Sequence, residues 1–297
     1  MVHLPPPGTL THLDLSDNAL HDSGAAALAG ALASNETLRS LDLRCNGLGF
    51  KGAGDLAESL RSNGTLEELG LTGNPLGCVY PLDGWCAIFD ALRDNPHNKI
   101  ACWDLASQGL TPAVARSLAA HVAASHTLTS LSLKGNELGR DGALAIAEAL
   151  TSNRTLTRLD LWSNGLGPGG CRAIAAALKA SPTLKELVLR QNQARDDGAL
   201  ALAEALQFNR ALEVLDVGWN RIGSAGGSAL VASAKAHRAL VELDLEGNEL
   251  PGDGGAHAMG GEWVGANGRW VKAPPPEEPA SGDDAKEQDD GAESADG

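Results

Sequence analysis

Residues 128–155, "LTSLSLKGNELGRDGALAIAEALTSNRT", are followed directly by residues 156–183, "LTRLDLWSNGLGPGGCRAIAAALKASPT". A period of 28 residues constrains a chain more than any composition can, because one unit of that size cannot bury its apolar face alone and must stack on its neighbours. Aligned on the first apolar residue, units open at Leu10, Leu38, Leu66, Ile100, Leu128, Leu156, Leu184, Leu212 and Leu240. Each begins close to L-x-x-L-x-L-x-x-N-x-L, as in Leu156, Leu159, Leu161, Asn164 and Leu166.

Two periodicities share each unit. The x-L-x-L-x block alternates with period two, the mark of a half-buried strand. Further along, apolar pairs four apart, Leu56 and Leu60 or Ile174 and Leu178, lie on one helical face. Glycines between the two, Gly142, Gly170, Gly198 and Gly226, suit a tight turn. The unit is therefore strand, turn, helix and return loop. Strands pack about 4.8 Å apart and helices roughly 8–10 Å apart, so the stack must curve with its strands inside. The expected fold class is α/β: a right-handed solenoid, or horseshoe, of nine strand–turn–helix repeats with a parallel concave sheet and outer helices.

A polar residue recurs at the ninth position: Asn18, Asn46, Asn74, Asn136, Asn164, Asn192, Asn220 and Asn248, with Gln108 in the fourth unit. An amide leaving each strand can bond backbone groups that the turn leaves unpaired, so this row reads as a structural ladder. The triplets "NET", "NGT" and "NRT" at Asn35, Asn63 and Asn153 match a glycosylation acceptor. They fall at the helix-end position of the repeat and read as coincidence.

The chain divides into a repeat domain over 1–250, a cap-like segment over 251–272 and an acidic tail over 273–297. The tail's nine acidic residues and one lysine account for −8 of the net charge of −15, leaving −7 on the rest. Its composition predicts disorder, and the negative balance argues against a nucleic-acid partner. Nothing resembles a signal peptide or an apolar span of about 20 residues, so no membrane association is expected. Five cysteines without a C-x-x-C pair suggest a reduced, cytoplasmic setting and no metal. Hydrolase, phosphate-loop and metalloprotease motifs are missing, and neither a cofactor nor a small-molecule substrate is expected.

Candidate contact residues follow from the pleat, which turns positions three, five and seven of each unit to the concave face. Position five is an acidic ribbon that includes Asp14, Asp42, Asp104, Asp160, Asp216 and Asp244. Position seven supplies Arg44, Lys134, Trp162 and Arg190, with Trp219 one residue beyond in its unit. Trp and Arg dominate interface hot spots, so these five are assigned to partner binding. Trp103 replaces the buried leucine at position four and is assigned to the core. The third unit is six residues longer than the rest, and its insertion carries Tyr80 and Trp85. Insertions in repeat proteins often fall on the binding face, and these two aromatics join the candidates as a projecting loop.

The 28-residue period, the L-x-x-L-D-L-x-x-N block and helices such as "GALAIAEAL" resemble leucine-rich repeats of the ribonuclease-inhibitor-like class over residues 10–250. That class includes ribonuclease inhibitor, the sensor regions of NOD-like receptors and the Ran GTPase-activating protein. The likeness is greatest to the NOD-like receptor repeats. It implies a non-enzymatic, monomeric scaffold that holds a protein partner on its concave face; the alternative it leaves is a GTPase-activating protein of the Ran type.

Overall fold

The computed structural model describes residues 9–77, 84–250, 263–266 and 268–273. Strands and helices alternate through the repeats: β1 (His12–Asp14), α1 (His21–Leu32), β2 (Ser40–Asp42), α2 (Phe50–Leu60), β3 (Glu68–Gly70), α3 (Gly84–Asp94), β4 (Cys102–Asp104), α4 (Pro112–Ala124), β5 (Ser130–Ser132), α5 (Gly139–Ser152), β6 (Arg158–Asp160), α6 (Gly167–Ala180), β7 (Glu186–Val188), α7 (Arg195–Phe208), β8 (Val214–Asp216), α8 (Ser224–Ala236) and β9 (Glu242–Asp244). A hairpin of β10 (Trp263–Ala266) and β11 (Arg269–Lys272) follows. No helix among the described residues is long and apolar enough to cross a membrane.

Each strand from β1 to β9 is three residues long, and its middle residue points inward. Leu131, Leu159, Leu187, Leu215 and Leu243 are fully buried, as is Trp103 apart from 3 % of its surface. Parallel pairing sets these residues side by side, Leu131 against Leu159 and Leu159 against Leu187. The apolar pairs of each helix meet them from the other side, giving one cluster that runs from Ala25 to Trp270.

The glycines expected in turns lie elsewhere. Gly142, Gly170, Gly198 and Gly226 sit inside α5 to α8. Each is pressed between the residue four places before it and the preceding helix: an added Cβ would stand 2.7 Å from Ala199 Cβ at Gly226, 3.0 Å from Ala143 and Cys171 Cβ at Gly170 and Gly198, and 2.8 Å from Leu138 Cβ and 3.3 Å from Ala115 Cβ at Gly142. Close helix packing, not turn geometry, requires them. The turns instead use a left-handed residue at position eight of every unit, which is glycine at Gly73, Gly135 and Gly247 and a larger residue at the others.

The asparagine ladder is present, and every rung after Asn18 ties two repeats together. Asn192 accepts bonds from the Asn164 and Leu166 amides, and its Nδ2 donates to the Leu161 and Leu189 carbonyls. A second ladder runs along the helix ends, at the triplets read as coincidence. Asn63 donates to the Leu32 and Asn35 carbonyls and accepts from the Thr65 and Leu66 amides. Asn153 donates to Val122 and Ser125 and accepts from Thr155 and Leu156.

The strands do not form the single parallel sheet expected. They divide into a three-stranded sheet, β1-β2-β3, and an eight-stranded sheet ordered β10-β11-β9-β8-β7-β6-β5-β4. The break coincides with the long third unit. Where Leu43 and Leu133 amides bond the next strand at 2.8 Å, the β3–β4 junction substitutes side chains: Thr72 Oγ1 donates to the Asp104 carbonyl, and the Gly73 amide donates to Gln108 Oε1. At the far end β11 pairs antiparallel with β9, setting Trp270 opposite Leu243. That hairpin covers the sheet edge and buries Trp263 and Trp270.

Candidate functional site

The face formed by strand positions three, five and seven is polar, and its acidic ribbon has a backbone task. Each aspartate at position five accepts a bond from the amide two residues on: Asp42 from Arg44, Asp160 from Trp162, Asp216 from Gly218 and Asp244 from Glu246, all within 2.8–3.0 Å. Each carboxylate thus pairs the first free amide after a three-residue strand. The hydrogen bonds from Ser16 hold Asp14 below the usual carboxylate range, and those from Arg44 do so for Asp42. Asp216 goes the other way: burial, reinforced by Asp244, pushes it up to about 6 against the pull of the Gly218 amide and Arg190.

Trp162 stands just beyond β6 and carries its own cations. Lys134 Nζ lies 3.7 Å from the ring centroid and Arg190 Cζ 5.7 Å from it. The indole N–H donates to Gln191 Oε1 at 2.9 Å. Lys134, Trp162 and Arg190 come from the same position of three successive repeats, so strand stacking alone aligns them.

Arg190 is less available than its sequence position suggests. Its side chain is only 14 % exposed, with Asp244 at 3.2 Å, Asp216 at 3.6 Å and Glu246 bonded to its other terminal nitrogen. Asp244 and Glu246 belong to the second unit along. The guanidinium reaches them by lying across Gly218, where an added Cβ would come within 2.5 Å of Nη1. Sequence reasoning missed Gly218 and Glu246; the signal for them was a glycine between an arginine and a glutamate in one column of the repeat.

Trp219 is the most exposed aromatic of this face, at 51 %. It occupies the left-handed position eight with φ 55°, a conformation costing a bulky L-residue roughly 1–2 kcal/mol. Its ring lies over Gly247, whose hydrogen leaves room where a Cβ would stand 2.5 Å from the indole. Trp219 and Trp162 therefore each lean toward the following repeat.

The remaining candidates do not join them. Arg44 follows β2 in the smaller sheet, where its guanidinium is held by its own neighbour Asp42. Trp85 is not on a projecting loop: it is the second residue of α3, 1 % exposed, stacked on Phe89 at 5.7 Å. Its large apolar surface is buried in the core between α3 and its neighbours, which removes it from any contact surface. Tyr80 and residues 274–297 of the acidic tail lie outside the described residues.

Comparison with known proteins rests on the repeat. Six segments, residues 9–29, 34–57, 124–147, 152–175, 180–203 and 208–231, match the family model described as "Leucine Rich repeat". The chain carries leucine-rich repeats. Residues 58–123, which hold the break between the sheets, fall outside the matched segments. A solved structure titled "Leiomodin-1 Actin-Binding Site 2 (ABS2)" is 27 % identical, over 46 % of this chain and 77 % of that one, with a TM-score of 0.38. No curated protein matches the chain.

Proposed function

We propose that this leucine-rich repeat chain is a protein-interaction scaffold whose partner seats on the strand face between β5 and β9. The observation that supports this most is Trp219. A half-exposed indole in a left-handed turn position, where three other units carry glycine, adds strain and apolar exposure and little to the core. Interface anchors have that character. Trp162, fixed between Lys134 and Arg190 on the same face, offers a second rigid aromatic surface. The reading is of binding, in the manner of the repeat regions of NOD-like receptors, with the chain acting as a monomer in the cytoplasm.

The test is site-specific photo-crosslinking. Benzoylphenylalanine placed at Ser132 or Val214 on the strand face is expected to give discrete adducts in a lysate of the source cell, and at Leu144 or Leu200 on the helix face it is expected to give none. Adducts from the helix face alone would reverse the assignment. For a captured partner, Trp219→Ala is expected to weaken binding by about 2 kcal/mol.

A further inference from the structure

Within the strand face, one aromatic ring already shows what it accepts. Trp162 takes two cations from its own chain, Lys134 at 3.7 Å and Arg190 at 5.7 Å from the ring centroid. Trp219 projects at position eight, one residue further along its unit, and is half-exposed. Among the described residues no cation lies over it.

The charge around Trp219 is unbalanced in the matching sense. On the face of β6 to β9, positions three, five and seven supply six carboxylates against Arg158 and Arg190, with Arg269 of β11 adding one more cation. Arg190 alone faces three of those carboxylates, Asp216, Asp244 and Glu246. Glu246 keeps 45 % of its side chain exposed and directly precedes Gly247, on which the Trp219 ring rests. Glu249 is exposed two residues beyond. An indole face beside surplus carboxylates favours a cationic side chain over a neutral or acidic one, because the ring quadrupole and the fixed charges attract the same group.

We propose that the partner presents a basic segment to this end of the face, with a lysine or arginine laid over Trp219 and beside Glu246, repeating between molecules the contact that Lys134 makes with Trp162. This rests on the scaffold reading and specifies the partner's chemistry. Side chains of Trp162 and Arg190 serve the surface as rigid walls; the open position is at Trp219.

The experiment is a calorimetric titration of the full chain with a decalysine peptide and with the same peptide acetylated on every side chain, at two salt concentrations. Decalysine is expected to bind and the acetylated peptide not. Trp219→Leu keeps an apolar side chain at this position but loses the π face, and is expected to weaken decalysine binding by about three- to thirtyfold. Glu246→Gln is expected to weaken it in the same direction with an unchanged unfolding midpoint, whereas Trp162→Leu, whose cations are internal, is expected to change it little. Equal affinity of wild type and Trp219→Leu would place the binding in diffuse charge, including that of the acidic C-terminal segment, and would overturn the proposal. So would tight binding of the acetylated peptide. Either result alongside persistent strand-face crosslinks would leave the scaffold reading standing, while loss of those crosslinks would remove it.

Discussion

Between β4 and β9 parallel strand pairing joins every repeat to the next; between β3 and β4 the pairing lapses, a long backbone bond from the Ala101 amide to the Glu67 carbonyl at 3.4 Å remains, and side chains make the other links. In the regular region every strand bonds the next, and of the side-chain bonds of the Asn192 rung three reach the preceding repeat and the rest stay within its own, while the Asn192 amide donates forward to Asn220 Oδ1. At the break, an aromatic group takes over. Phe89 stacks on Trp85 at 5.7 Å and on His121 at 6.4 Å, and meets Trp103 edge-on at 6.1 Å. The substitution has a polar cost, since His121 is fully buried with neither ring nitrogen bonded, and Trp103 Nε1 is also unpaired. A repeat stack thus tolerates a length mismatch when large side chains replace the missing ladder, and the junction becomes the place where packing matters most.

Four measurements would sharpen or break that contrast. Phe89→Ala removes the hub of the aromatic group and is expected to cost about 3–5 kcal/mol. Urea unfolding of this variant is expected to split in two, the β1–β3 part melting first; a single transition with a small midpoint shift would show that the break is mechanically unimportant. Acid comes next. Burial, with a smaller contribution from Arg93, depresses His121 from 6.5 to about 4, so protonation favours the unfolded chain. The His121 contribution is intact above pH 6.5 and erodes by about 3 kcal/mol as pH falls to about 4. Stability measured over that range is expected to lose this slope in His121→Leu, and an identical slope in the variant would contradict the assignment.

The ladder effects are smaller. Asn192→Ala is expected to cost about 1–3 kcal/mol, and Asn164→Ala less, because the buried Asn164 Oδ1 has no partner to lose; the reverse order in denaturant titrations would argue against the rung as the unit of cohesion. Smallest is Gln108→Asn, at about 0.5–1.5 kcal/mol. Gln108 donates to the Ala106 carbonyl and accepts from Gly73 across the break, and a side chain shorter by one methylene is expected to lose the second of these bonds. A stabilising effect would mean that the break is closed by something else.

Much of this architecture was legible in the sequence because its signals are local and repeated. Period-two leucines placed the strands, and period-four pairs placed the helices. The break was not legible: six added residues announce a longer unit but not the loss of strand pairing, which depends on two units at once. Trp85 was misread although its own signature was present. Trp85, Ile88, Phe89 and Leu92 follow helical i, i+3, i+4, i+7 spacing and form the buried face of α3. Of the candidate site, the column holding Lys134, Trp162 and Arg190 could be read from the repeat register. The capture of Arg190 could not, since it needs a gap at Gly218 and carboxylates 54 and 56 residues away.

The helix-end ladder also bears on which biosynthetic route this fold tolerates. Asn63 and Asn153 stand in N-G-T and N-R-T, triplets that an oligosaccharide-transferring enzyme recognises in an extended chain. In the folded protein Asn153 is 3 % exposed, and its amide already bonds the carbonyls of the preceding repeat. A sugar attached there before folding would occupy the nitrogen that joins two repeats and force a bulky hydrophilic group into the stack. Glycan and native stack are mutually exclusive at this position, so the same asparagines that hold the solenoid together act as a checkpoint against its maturation wherever that enzyme meets the nascent chain.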